Sequence, residues 1–218
     1  LDPLSGQLFA SDDQPGIYEV DMAGSFAQML PHPADSVNPN ALSVDSMGRL
    51  LVGDSGDKVL RVTYSAGAIT GFTVLAENFS VPQGVVEDHT TGIIYFTDLN
   101  GEVFYIHPTA TLPVEPATAA TLPIGSVAGG NEGNLLIDAV GSLYFSDFNN
   151  RIIKVEFGTP GDPTSADARD VVEITEAACP SGQAGRDFMP GFRGFVLDSE
   201  GDLITAGYCR DALYRFGA

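Results

Sequence analysis

Asp12, Asp54, Asp98 and Asp147 each end a run of apolar residues and open a short polar turn. Carboxylates recurring in one frame are the residue type that a hard divalent cation uses. The same pattern suits a structural role, in which each carboxylate accepts backbone N–H groups of the turn that follows, and this reading is preferred. Around one of them, Gly53-Asp54-Ser55-Gly56 has the letters of a serine nucleophile loop. It stands in register with Thr97-Asp98-Leu99-Asn100-Gly101 and with Ser146-Asp147-Phe148-Asn149-Asn150, so repetition accounts for it. His32, His89 and His107 fall at expected turns or strand ends, and none sits in a matching base motif. Cys179 and Cys209 are too far apart for a CxxC metal or redox pair.

A second group of reactive residues lies in "CPSGQAGRDFMPGFRG" (Cys179–Gly194). Arg186, Asp187, Phe188, Met189 and Arg193 make a mixed polar and aromatic set inside a very acidic chain. Loops of this length are often functional, and the arginines point to a partner with an anionic group facing Arg186 or Arg193. A plain surface loop is the competing reading.

These residues are positioned by a repeat. The unit reads Asp-x-x-x-Gly or Asp-x-x-Gly, an apolar run, a polar turn and a second apolar run. It appears at Asp2–Val20, Asp45–Val62, Asp88–Ile106, Asp138–Val155 and Asp198–Phe216. The glycines at 6, 48, 92, 141 and 201 are 42, 44, 49 and 60 residues apart. A period in the forties with several short strands per unit is the signature of a β-propeller blade. Short apolar runs such as "NALSVD" and "QGVVED" are innermost strands, where Gly84 and Gly194 let backbones converge. The glycine after each Asp supplies a positive φ. The next strand is apolar on both faces, as in a sheet covered on both sides. A fourth strand follows, for example "ITGFTVLAE" (Ile69–Glu77) or "DVVEITEAA" (Asp170–Ala178).

The expected fold is therefore all-β: about five four-stranded blades in a single domain. Their boundaries are near 1–36, 37–79, 80–126, 127–178 and 192–218, with an insertion at 179–191. The first unit lacks an innermost strand and the last an outer one, giving 18 strands and suggesting a five-blade portion of a six-bladed ring. Another chain or segment would then complete it. The Pro/Thr/Ala-rich stretch His107–Pro123 is expected as an extended outer strand or an edge loop.

Composition bounds the partners. Asp and Glu number 29 against 10 Lys plus Arg, a formal charge of −19, which repels phosphate backbones and argues against nucleic acid. No stretch reaches the roughly 18 apolar residues of a membrane span. No signal segment opens the chain, and "LDPLSGQLFASDD" reads as folded sequence, so any leader is expected to have been removed or to lie outside this sequence. The acidity fits a soluble protein in a salty or extracellular setting. One sequon, Asn78-Phe79-Ser80, offers a glycan acceptor to a secretory route.

The stretches "PQGVVEDHTTGIIYFTDLNGEVFYI" and "PNALSVDSMGRLLVGDSGDKVLRV" resemble blades of the six-bladed superfamily of NHL-repeat, SMP-30/gluconolactonase and strictosidine-synthase-like proteins. The resemblance implies the propeller, but the superfamily hosts both enzymes and binding proteins. In its gluconolactonase-like members a divalent metal in the central funnel is held by Glu, Asn and Asp near the starts of inner strands. One such ligand stands five residues before the repeat Asp, a position occupied here by Asn40, Gln83, Gly133 and Arg193. Glu132 and Asn134 are close enough in sequence to substitute. An arginine in such a ring opposes a cation. The propeller geometry also places Cys179, before the last inner strand, and Cys209, in the last second-to-third-strand turn, at one face. A disulfide there would imply an oxidising compartment, with two unpaired thiols the alternative.

Two functions follow. The preferred one is an extracellular or periplasmic, non-catalytic propeller that binds a protein or a small, anionic ligand on its loop-bearing face through Asn40, Gln83, Glu132, Asn134, Arg186 and Arg193, with no cofactor. The alternative is a lactonase-like hydrolase with calcium or zinc in the funnel. No nucleophile, acid–base pair or complete ligand set can be assembled, which favours binding.

Overall fold

The structure is a computed structural model that describes residues 8–11, 16–20, 27–29, 38–65, 68–124, 131–147, 151–173, 192–207 and 212–216. Its strands form five antiparallel meanders in chain order. Sheet I holds β1 (Leu8–Ser11), β2 (Ile17–Val20) and β3 (Ala27–Met29). Sheet II holds β4 (Pro39–Val44), β5 (Leu50–Asp54), β6 (Lys58–Ser65) and β7 (Ala68–Ala76). Sheet III holds β8 (Gly84–Glu87), β9 (Ile94–Thr97), β10 (Val103–Ile106) and β11 (Ala120–Thr121). Sheet IV holds β12 (Asn131–Ile137), β13 (Leu143–Asp147), β14 (Arg151–Phe157) and β15 (Ala166–Glu173). Sheet V holds β16 (Phe192–Leu197), β17 (Leu203–Gly207) and β18 (Ala212–Phe216). The first strands touch in series, β4 against β8, β8 against β12 and β12 against β16, while β1 lies against β4.

The apolar runs of the second strands are explained by what covers them. Every residue of β5 and β9 is buried. Side chains alternate across a strand, and here the two sets feed different cores. Leu50 and Val52 join Ile17 between sheets I and II, whereas Leu51 joins Val85, Phe96 and Phe104 between sheets II and III. Likewise Ile94 and Phe96 face sheet II, and Tyr95 packs with Leu143 and Phe145 of sheet IV. Tyr144 turns the other way, onto Phe195 and Leu203 of sheet V. Sheets II, III and IV thus each hide two greasy faces, which is possible only with a neighbour on either side.

The Asp-x-x-Gly turns repeat in detail. Gly48, Gly92, Gly141 and Gly201 have φ of 77°, 72°, 90° and 87°, in the left-handed region that glycine enters without strain. The preceding Asp carboxylate accepts backbone N–H groups two and four residues on: Met47 and Arg49 for Asp45, Val140 and Ser142 for Asp138, Glu200 and Asp202 for Asp198. Where β8 meets the next sheet the backbones crowd. A Cβ on Gly84 would stand 3.0 Å from Leu135 Cγ and 3.1 Å from Thr97 Oγ1.

The proline-rich stretch does two things. Only Ala120–Thr121 pairs as the outer strand of sheet III. Upstream, Val114 crosses back to sheet II and makes a parallel bridge with Ala76, its N–H donating to Leu75 O and its carbonyl accepting from Glu77 N. Val114 is buried there among Leu75, Ala76, Phe79 and Phe104.

Candidate functional site

The first strands begin irregularly, and always at the same step. In sheet II the register slips between Pro39↔Asp54 and Ala41↔Gly53, leaving Asn40 as the extra residue. In sheet IV it slips between Asn131↔Asp147 and Leu135↔Phe145, and in sheet V between Phe192↔Gly207 and Phe195↔Thr205. Sheet III has the same feature just ahead of β8: Leu99 N donates to Ser80 O and Gln83 N to Thr97 O, with Val81 at φ 49° in between. Bulges of this kind re-aim side chains. The fold therefore brings Asn40, Gln83, the Glu132–Asn134 step and Arg193 to equivalent places on four neighbouring strands. This ring of strand starts is the mouth.

At the mouth, Asn40 is exposed and its Nδ2 donates to Pro82 O at 3.3 Å, spanning from sheet II to sheet III. Gln83 is half-buried and its Nε2 donates to Val81 O at 3.3 Å. Glu132, Asn134 and Arg193 belong to strands whose backbone is described; their side chains, with Arg186, Cys179, Cys209, Asp12 and His32, lie outside the described residues. The disulfide reading and the arginine-bearing loop rest on those residues.

The turn aspartates at the same end differ from one another. Asp98 is buried and accepts from Asn100 N, Glu102 N and Asn100 Nδ2. Burial pushes its carboxyl above the ordinary carboxylate range, against the lowering effect of those N–H donors. Asp54 is also buried, but its Oδ1 accepts the N–H of Asn38, so it ties the start of β4 to the end of β5 rather than bonding the turn that follows. Asp147 pairs through its backbone with Asn131. His89 and His107 both have partners: a His89 ring nitrogen lies 3.1 Å from Val44 O of sheet II, and His107 Nδ1 lies 2.8 Å from Thr109 Oγ1.

The opposite ends of the first strands carry a charged network that repeat-based reading does not single out. Glu87, buried on β8, accepts from Ser46 N at 3.0 Å and from the Ser46 hydroxyl, and its Oε2 stands 3.4 Å from Arg61 Nη2. Arg61 Nε in turn lies 3.1 Å from Asp45 Oδ2, which also takes the Arg49 Nε–H at 2.7 Å. In sheet IV the Tyr144 hydroxyl donates to Asp138, with Lys154 over the tyrosine ring. In sheet V Arg215 binds Asp198, Glu200 and Asp202 together. Those three carboxylates are close enough to share a metal ion, yet the Arg215 guanidinium already bridges them. The signal was present in the third-strand letters V-L-R-V, I-I-K-V and L-Y-R-F, where one cation recurs in register.

No family profile matches the chain, and no curated protein matches it in sequence. Solved structures do. A streptogramin B lyase superposes with a TM-score of 0.65 at 17% identity, over 96% of this chain and 61% of that one. The fold is a β-propeller. An auxiliary nutrient binding protein from Bacteroides ovatus gives a TM-score of 0.66 at 15% identity, covering 100% of this chain and 56% of that one. A gluconolactonase from Xanthomonas campestris gives 0.65 at 16% identity, covering 95% and 67%. The propeller thus spans about three-fifths of the length of the first two. Its neighbours include enzymes and a nutrient binding protein alike, and at these identities the likeness is one of fold.

Proposed function

We propose that the propeller is a non-catalytic binding module whose small ligand sits at the mouth formed by the starts of β4, β8, β12 and β16. One observation carries this reading. The described mouth side chains are carboxamides anchored on backbone carbonyls, with neither a nucleophile–base pair nor a carboxylate set among the described residues. Such a surface orients a guest by hydrogen bonds and has no means of attacking it. Arg193 belongs to β16, and with Arg186 seven residues earlier in sequence it is the candidate partner for an anion in a chain of charge −19. An anionic group of the ligand belongs there. The acidic composition supports an extracellular or periplasmic setting.

The lactonase alternative needs a divalent metal. The residues described at the mouth do not fit one, since a hard cation gathers about six to eight oxygens, several of them carboxylates. Thermal-shift screening against small neutral and anionic metabolites and short peptides should find a binder whose stabilisation is lost in Arg193→Ala. Stoichiometric metal in the purified protein, together with chelator-sensitive lactone hydrolysis, would overturn the proposal.

A further inference from the structure

We infer, building on the binding role above, that the mouth is a metal-free acceptor site: the carboxamide oxygens of Asn40 and Gln83 take hydrogen bonds from O–H or N–H groups of an uncharged part of the ligand. The orientation follows from elementary valence. A backbone carbonyl can only accept, so the amide atom that approaches it must be the nitrogen. Asn40 meets Pro82 O and Gln83 meets Val81 O, each at 3.3 Å. Both carboxamides therefore spend their nitrogen on the protein and present their oxygen elsewhere.

The two anchoring carbonyls belong to one dipeptide that is itself held. Val81 N donates to Phe79 O at 2.9 Å, Phe79 is buried between Phe96 and Phe104, and Pro82 is buried. Over Pro82 O sits Gly53, where a Cβ would come within 3.1 Å of that oxygen. The carbonyls that hold the two amide nitrogens are thus fixed by backbone. With Asn40 exposed and Gln83 half-buried, both are within reach of solvent.

Neutral amide oxygens suit hydroxyl or N–H donors and repel a carboxylate. Glu132 is the single acidic residue among the strand-start letters VNPNA, SVPQG, GNEGN and PGFRG, and Arg193 stands on the same ring. A divalent cation is short of charge at such a site. The ligand is consequently polarised, with donor groups at sheets II and III and any acid at sheet V.

The test is a titration of the 15N-labelled protein, following the side-chain NH2 signals of Asn40 and Gln83, assigned through Asn40→Ala and Gln83→Ala. Sorbitol should shift both pairs, whereas calcium chloride and sodium sulfate should leave them in place. Equilibrium dialysis with metal analysis should show an added calcium equivalent in Asn40→Asp/Gln83→Glu and no loss in Asn40→Ala/Gln83→Ala. Calcium-dependent movement of both signals, loss of a bound equivalent in the alanine variant, or silence towards sorbitol overturns the inference. A ligand that binds elsewhere on the mouth with both signals still leaves the binding role standing, whereas the absence of any binder in the thermal-shift panel removes the role itself.

Discussion

Replacing Arg61 with methionine isolates the network between sheets II and III. Methionine keeps the apolar stem of the side chain and removes the guanidinium with its charge. Asp45 is fully buried, but it retains Arg49 and the N–H groups of Met47 and Arg49. Glu87 is less fortunate, since it keeps only the Ser46 donors among its described partners, with a side chain 4% exposed. Orphaning one member of a buried ion pair costs about 3–5 kcal/mol. Because Arg61 is 19% exposed and its contact to Glu87 is long, a cost below that range, about 2–3 kcal/mol, is expected. In a domain of this size that is a fall in Tm of roughly 4–12 °C. The double variant Arg61→Met/Glu87→Gln should recover part of the loss, because glutamine still accepts from Ser46 and carries no charge to bury. Urea unfolding of the four members of the cycle measures a coupling of about 1–3 kcal/mol. An Arg61→Met protein within about 0.5 kcal/mol of the parent, a change typical of an indifferent surface site, or a double variant no better than the single one, would refute the argument.

Three other outcomes follow from the same packing. Asp98→Asn keeps an oxygen for Asn100 N and Glu102 N while abolishing an ionisation that burial disfavours. The raised carboxyl means that the native state favours the protonated form, so the contribution of Asp98 is largest at low pH and lost as pH rises through its folded-state titration. Denaturant midpoints should therefore show Asp98→Asn equal to or above the parent at neutral pH, with the gap closing on acidification, and a variant markedly less stable at pH 7 contradicts this. Gly84→Ala drives a methyl group against Leu135 and Thr97 and should cost about 1–3 kcal/mol, whereas Gly141→Ala, which meets nothing within 4 Å, pays only for its φ of 90°. Phe79→Ala empties the aromatic cluster with Phe96 and Phe104 and should destabilise by about 3–5 kcal/mol, measured by calorimetry.

Much of the architecture is written in the spacing. The glycine-anchored units place the strands because a left-handed residue shortly after an aspartate, at Gly48, Gly92, Gly141 and Gly201, stops one strand and starts the next. Doubly apolar stretches such as Leu50–Val52 and Ile94–Phe96 announce sheets covered on both faces. What spacing could not supply was direction. The sequence puts Asn40 and Gln83 in matching positions, but only the fold shows that their nitrogens are spent on the Val81–Pro82 carbonyls. Asp54 and Asp98 look equivalent as letters and take different donors, because the chain ahead of β4 and the chain ahead of β8 run differently. The Glu87–Arg61 contact joins residues on separate sheets, and pairs between units leave no trace in a pattern read within one unit.

The return of Val114 to the edge of sheet II changes what counts as a module. A chain cut at the tidy repeat boundary after Phe79 would leave Leu75 O and Glu77 N without the strand that saturates them. It would also strip a buried valine from the adjoining core. Sheets II and III should accordingly melt as one cooperative block, and gene fragments or circular permutants that part them at that seam should yield aggregating halves rather than independent blades.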